Sequence, residues 1–148
     1  MADVDRGVST VLGYTINVAV ATLLITGLLL AAGSLVESQR QQAVRSELTV
    51  IGERLASNVE ATDRLVRAAD DGRVRVETTL PRRVAGTGYE IRIAIDGSNV
   101  TAVLSTDSPA VRVEVPIDNE TAIEPTRLTG GSVVVRWTDG APMEVAHE

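Results

Sequence analysis

The hydrophobic and polar positions of this chain follow three successive patterns. Residues 8–36 carry no charge, a longer stretch than the roughly 20 residues that a helix needs to cross the hydrocarbon core of a bilayer. From residue 37 onward, apolar residues recur every three or four positions, and after residue 72 they alternate every second position. The chain is therefore predicted to be a long amino-terminal helix followed by a β-rich region.

The second pattern predicts an amphipathic helix over residues 37–71. Gly52 interrupts its apolar face, and because glycine costs about 1 kcal/mol in an exposed helix, we expect a bend there. Asp70-Asp71-Gly72 is typical of a helix end. The apolar face is formed by residues at helical spacing: Leu48, Ile51, Leu55, Val59, Thr62 and Val66.

The third pattern predicts short strands bounded by Gly, Pro, Asn or Asp. Such strands favour an antiparallel sheet with one covered face, and the apolar face of the preceding helix is the expected cover. The predicted fold class is α+β, with a transmembrane segment and amphipathic stalk in one long helix before a small antiparallel β-sheet head. The predicted strands lie at residues 74–80, 89–96, 100–104, 111–115 and 132–137.

Composition and charge narrow the function classes. The chain has no Cys, which excludes disulfides and thiolate metal sites. Its 14 basic residues are all Arg, against 20 acidic residues, as is typical of a protein from a high-salt environment or a GC-rich genome. Residues 76–148 carry a net charge of about −5, which argues against nucleic acid as a partner.

A short charged leader lies directly before the apolar segment. An ordinary secretory signal is cleaved after its apolar region, whereas Arg6-Gly7 precedes it here. Cleavage between Gly7 and Val8 would therefore leave the hydrophobic helix on the mature protein. An uncleaved signal anchor is the alternative. The predicted domains are a leader at 1–7, a transmembrane or filament-core helix at 8–36, a stalk at 37–71 and a head at 72–148.

Residues 5–14, Asp-Arg-Gly-Val-Ser-Thr-Val-Leu-Gly-Tyr, resemble the amino termini of haloarchaeal type IV pilin-like proteins. The resemblance is specific over these ten positions, generic through the anchor, and one of architecture alone in the head. It implies cleavage by a prepilin peptidase, which is a membrane aspartyl enzyme, and assembly with other pilin subunits into a surface filament. The chain departs from the bacterial pattern at Leu12, where bacterial pilins carry Glu.

Small and polar residues interrupt the apolar helix. Gly13, Gly27 and Gly33 would allow helices to approach closely in lipid, and Asn17 can hydrogen-bond to a neighbouring helix or to its own backbone. These four residues are therefore the predicted helix-packing positions. A single-pass anchor that packs against no other helix is the alternative.

Two N-glycosylation sequons lie in the predicted head. Asn99-Val100-Thr101 and Asn119-Glu120-Thr121 both fall at predicted turns or strand edges, and the anchor and stalk contain none. Their placement favours an exported domain, and two unused sequons are the alternative.

The distribution of Arg around the apolar segment conflicts with export of the head. Arg40 and Arg45 follow the segment, while the leader carries Arg6, so a count of Arg places the stalk inside. The resemblance implies the opposite orientation, with a cytoplasmic amino terminus and an extracellular carboxy-terminal domain.

Catalytic signatures are few. The sequence has no Cys-His pair, nucleophile elbow or phosphate-binding loop, and no cofactor is predicted. His147 is its only histidine and is expected to lie in a frayed tail. Asp118-Asn119-Glu120 lacks the ligand spacing of a known calcium loop. An enzyme is therefore the weakest hypothesis.

The sequence thus predicts a pilin-like exported subunit, anchored in the membrane before it assembles into an adhesive surface filament. The alternative is a single-pass anchored extracellular β-domain that never polymerises and acts as a binding or envelope protein.

Overall fold

The computed structural model describes residues 2–69 and 72–148, with side-chain surroundings from residue 12 onward. The described residues form one helix, α1 (Ala2–Ala68), and seven strands. They divide into two compact units, residues 1–39 and residues 40–148. The strands are β1 (Arg73–Thr79), β2 (Glu90–Asp96), β3 (Asn99–Asp107), β4 (Ala110–Ile117), β5 (Thr126–Thr129), β6 (Ser132–Thr138) and β7 (Glu144–His147).

The predicted α+β class is confirmed, but the strands form two small sheets. One sheet has the order β1-β6-β7 and the other the order β4-β3-β2-β5, and every pairing within them is antiparallel. A short parallel bridge between Ile123 and Met143 joins the segments that precede β5 and β7. The Met143 N–H donates to the Ala122 carbonyl oxygen at 2.7 Å.

The five predicted strands correspond to β1, β2, β3, β4 and β6, whereas β5 and β7 were not predicted. Both missed strands are four residues long, too short to show an alternating pattern of their own. They are specified by pairing, since β5 lies beside β2 and β7 lies beside β6. The predicted helix end falls close to Ala68, with Asp70 and Asp71 outside the described residues and Gly72 at a φ of 111°.

The apolar face of the carboxy-terminal half of α1 is buried as predicted. All six predicted residues are buried, and Val44, Ala56 and Asp63 extend the face. These apolar residues belong to one core cluster that also contains side chains from both sheets. The buried Thr62 hydroxyl donates to the Asn58 carbonyl oxygen at 2.8 Å, so this polar group is satisfied within its own helix.

Gly52 allows close packing of the helix on the sheet, whereas the bend expected there stays a prediction. The helix continues through Gly52, which is buried. A Cβ at this position would lie 2.7 Å from Val115 Cγ2 and 3.0 Å from Leu104 Cδ1. Because real Cβ atoms do not approach other atoms so closely, only glycine allows this contact with β3 and β4.

A buried carboxylate ties α1 to the loop between β4 and β5. Asp63 is 2% exposed, and its Oδ1 accepts a hydrogen bond from the Thr121 N–H at 2.8 Å. Its Oδ2 lies 3.1 Å from Arg67 Nε, and Arg67 also contacts the exposed Glu120 at 2.7 Å. The buried charge is therefore both hydrogen-bonded and paired, which burial requires.

These contacts set the ionisation of Asp63. Burial acts to raise the pKa of this carboxyl, but hydrogen bonds from the Thr121 hydroxyl, the Thr121 N–H and the Glu120 N–H, together with the Arg67 guanidinium, hold the pKa below its usual value. A group with a depressed folded-state pKa stabilises the fold above its unfolded pKa, and this contribution is lost as the pH falls through the folded value.

We expect Gly52→Val to destabilise residues 40–148 by about 1–3 kcal/mol, because overpacking forces the helix away from Val115 and Leu104. Ser57→Val, at an exposed position of the same helix, is the matched control and is expected to stay within about 0.5 kcal/mol. Chemical unfolding of the detergent-solubilised full chain measures both. Equal stability of the two variants would show that Gly52 is not a packing contact.

We expect Asp63→Asn to lower the free energy of unfolding at neutral pH by roughly 1.5–3 kcal/mol, since the Thr121 N–H then bonds to a neutral acceptor and the ion pair with Arg67 is lost. The deficit relative to the unchanged protein should shrink once the pH falls below the unfolded carboxyl pKa of about 3.9. Glu120→Gln removes the exposed partner of Arg67 and should change stability little. A deficit of the same size at every pH would show that the charge of Asp63 does not stabilise the fold.

Candidate functional site: an uncovered apolar helix and a polar groove

The first compact unit exposes a long series of apolar side chains. It belongs to the one helix among the described residues that is long and apolar enough to span a membrane. Each of the large side chains is about half exposed or more, up to 72% at Leu23. They are Leu12, Tyr14, Ile16, Val18, Val20, Leu23, Leu24, Ile25, Leu28, Leu29, Leu30, Leu35 and Val36. Such a surface requires an apolar environment outside this chain.

Hydroxyl groups in this segment are satisfied by the helix itself. The Thr22 hydroxyl donates to the Val18 carbonyl oxygen and the Thr26 hydroxyl to that of Thr22, both at 2.8 Å. Ser34 donates to the Ala31 carbonyl oxygen at 2.9 Å. Since a helix also satisfies its own backbone, the segment presents few unpaired polar groups to an apolar medium.

The predicted helix-packing residues lie open on this helix. A Cβ at Gly13, Gly27 or Gly33 would meet no other atom within 4 Å, and Asn17 is exposed. At about 100° per residue, Asn17 and Gly27 lie within roughly 40° of Gly13 around the helix axis, whereas Gly33 lies roughly 160° away. Three of the four predicted residues therefore share a face, and Gly33 does not.

The predicted processing residues lie before this segment. Arg6, Gly7 and Val8 fall within the helical backbone of α1, but their side chains lie outside the described residues. The cleavage site therefore stays a prediction.

A polar groove of about 970 Å³ lies in the second unit, where ends of the two sheets come together. Sequence reasoning did not find it, because its walls come from segments far apart in the chain. The titratable residues that line it include Arg82, Glu90, Asp107, His147 and Glu148.

The wall of this groove near Gly130 is closely packed. The buried Tyr89 hydroxyl donates to the Pro81 carbonyl oxygen at 2.6 Å, and burial raises the pKa of Tyr89 to about 12. A Cβ on Gly130 would collide with that carbonyl oxygen and with the Tyr89 ring. The pair Gly130-Gly131 was the available sequence signal for this close approach. Tyr89 stays protonated near neutral pH, so its hydroxyl serves structure here.

His147 lies in strand β7, so the expected frayed tail is wrong. It pairs with Val133 across the sheet, and its Nε2 lies 3.4 Å from both the backbone nitrogen and the hydroxyl of Thr129. Two carboxylates of the groove lie beside arginines: Glu90 is 3.3 Å from Arg127 and Glu148 is 3.8 Å from Arg75.

Metal-binding chemistry has no cluster to support it in the part of the chain that the structure describes. No group of three or more His, Cys, Asp or Glu residues is placed there to hold a metal ion. Asp118 and Glu120 instead lie beside a small pocket with the Asp63 and Arg67 pair.

The two sequons occupy different surroundings. Asn99 is exposed and opens β3 after the turn that joins it to β2. Asn119 is half-buried in the loop between β4 and β5, and its side-chain amide donates to the Thr121 carbonyl oxygen at 2.8 Å.

Comparison with curated proteins gives no match, and comparison with solved structures gives none either. A family model described as DUF7266, a family of unknown function, matches residues 3–147. The match covers the apolar helix and the β-rich unit together, so both are parts of the family's own architecture. This chain therefore belongs to the DUF7266 family of unknown function.

Proposed function

We propose that this chain is an exported pilin-type subunit, anchored in the membrane by the apolar segment of α1 and later assembled through that segment into a surface filament. The observation that carries the proposal is the uncovered apolar helix of residues 12–36. A lone domain gains nothing from such a surface, whereas a membrane and a bundle of identical helices can both bury it.

The position of the leader supports processing before the helix. Arg6-Gly7 lies directly ahead of the uncharged segment, so a prepilin peptidase cutting before Val8 would release the charged leader and retain the anchor. Loss of Asp3 and Asp5 with the leader would also remove the charges that hinder burial of this end among other helices.

The balance of energies supports transfer from lipid to a filament. Apolar side chains that leave hydrocarbon for a helix bundle exchange one apolar environment for another, so the hydrophobic free energy changes little. Association then depends on close packing and on hydrogen bonds between helices. Gly13, Asn17 and Gly27 share the face that would make such contacts.

The head is proposed to lie outside the cell. Its surplus of acidic residues keeps it soluble, and its charged residues on the strands form surface pairs such as Arg112–Glu114 and Arg136–Glu144 at 2.7 and 2.8 Å. A solvated, acidic domain of this kind suits the exterior of a filament and any adhesive contact made there.

The polar groove of the head favours a second candidate function. A membrane-anchored binding protein would need the anchor and the groove but no filament. Polymerisation separates the two candidates, since a filament subunit is released by mechanical shearing and an anchored monomer stays with the membrane.

We expect the protein isolated from its native membrane to have a mass that corresponds to a start at Val8. Gly7→Leu should block cleavage because a large side chain replaces the small residue before the cut, whereas Gly7→Ala should still be cleaved. Intact mass spectrometry reads all three forms. A mature protein that begins at Met1 would overturn the pilin assignment.

We expect Asn17→Leu and Gly27→Leu to reduce the amount of protein released by shearing about three- to thirtyfold. Contacts between helices in lipid are worth roughly 0.6–2 kcal/mol each, which corresponds to that range. Gly33→Leu adds the same bulk on the opposite face and is the matched control. Equal release of all three variants would contradict packing through the shared face, and no release of the unchanged protein would favour the anchored binding protein.

A further inference from the structure

The two sequons of the head have identical acceptor chemistry but opposite structural settings. A sequon is used when an enzyme can reach the Asn amide together with the hydroxyl two residues later. The residues around Asn99 and Asn119 therefore decide which of the two can be modified.

The Asn99 sequon is presented to solvent. Asn99 is exposed and pairs with Asp96 at the end of the β2–β3 hairpin, where Gly97 adopts a positive φ of 59°. Because side chains alternate along a strand, Asn99 and Thr101 point to one face while Val100 between them is buried in the core. The Asn99 amide is thus exposed, and the half-buried Thr101 lies on the same face of β3.

Each of the three residues of the Asn119 sequon makes a hydrogen bond or an ion pair. The Asn119 amide donates to the Thr121 carbonyl oxygen at 2.8 Å, and Glu120 lies 2.7 Å from Arg67. Thr121 donates its N–H to the buried Asp63 at 2.8 Å, which holds its backbone on α1. The Asn119 amide that a glycan-transferring enzyme must reach is therefore already hydrogen-bonded, and the loop that carries it is held on α1.

We propose that Asn99 is the glycan acceptor of this protein and that the folded structure prevents glycosylation of Asn119. The donor is an oligosaccharide linked to a lipid phosphate. A bond forms between Asn99 Nδ2 and the anomeric carbon of the sugar, the bond from that carbon to the phosphate oxygen breaks, and one amide proton leaves while the phosphate stays on the lipid. The modification rests on the proposed export of the head.

Glycopeptide mapping of the full-length protein from its native membrane tests this assignment. We expect added sugar mass on the peptide that contains Asn99 and none on the peptide that contains Asn119. Asn99→Gln and Thr101→Ala should each abolish the added mass, whereas Asn119→Gln should leave it unchanged. Sugar on Asn119, or none on Asn99, would overturn the proposal.

Variants that weaken the contacts of the β4–β5 loop test whether these contacts prevent glycosylation of Asn119. Asp63→Asn weakens the bonds to Thr121 and keeps both sequons, so Asn119 should become modified in this variant while Asn99 stays modified. Arg67→Ala frees Glu120 and removes the cation beside Asp63 but keeps the hydrogen bond from Thr121, and it serves as a second variant. If Asn119 stays unglycosylated in both folded variants, the proposal that the folded structure prevents its glycosylation is wrong.

The same spectra separate this proposal from the proposed function. A protein that begins at Val8 but lacks sugar on Asn99 would refute the acceptor assignment and leave the pilin assignment standing. A protein that begins at Met1 and carries sugar on Asn99 would refute the pilin assignment and leave the acceptor assignment standing.

Discussion

One helix supplies both the core of the β-rich unit and a surface that this chain does not cover. Between Val44 and Val66 its apolar face is buried with side chains of both sheets, while residues 12–36 are exposed. Moving one large aliphatic side chain from water to an apolar environment is worth about 1.5–3 kcal/mol. A handful of the exposed leucines therefore matches the whole stability of a typical domain, roughly 5–15 kcal/mol. The apolar environment must come from outside the chain.

The β-rich unit depends on burial and close packing, since Cys is absent. Its surface ion pairs, such as Arg112–Glu114, are more than half exposed and contribute little. Asp63 differs because it is buried and accepts directed hydrogen bonds from a loop distant in sequence. That buried carboxylate, together with the contact between Arg67 and Glu120, holds the β4–β5 loop on the helix and so influences the setting of Asn119.

Local sequence pattern was sufficient for the helix face, which repeats from Leu48 to Val66, and for five strands, which are apolar runs bounded by Gly, Pro, Asn or Asp. It could not predict β5 and β7, whose four residues depend on neighbours brought together by folding. The contact of Gly52 with Val115 could not be predicted from the local pattern because it joins positions over sixty residues apart. The groove and the difference between the sequons escaped prediction for the same reason.

Residues 40–148 form a compact unit that contains the apolar core, and residues 1–39 form a second compact unit. The side chains of residues 12–36 contribute nothing to that core, so the apolar segment can change its surroundings without unfolding the β-rich unit. This independence is what a subunit needs if its helix passes from lipid into a polymer. A permanent anchor has less need of this independence, but is not harmed by it. The surface of residues 12–36, where Gly13, Asn17 and Gly27 share a face, therefore decides between a filament subunit and a permanent anchor. The fold of the head does not distinguish them.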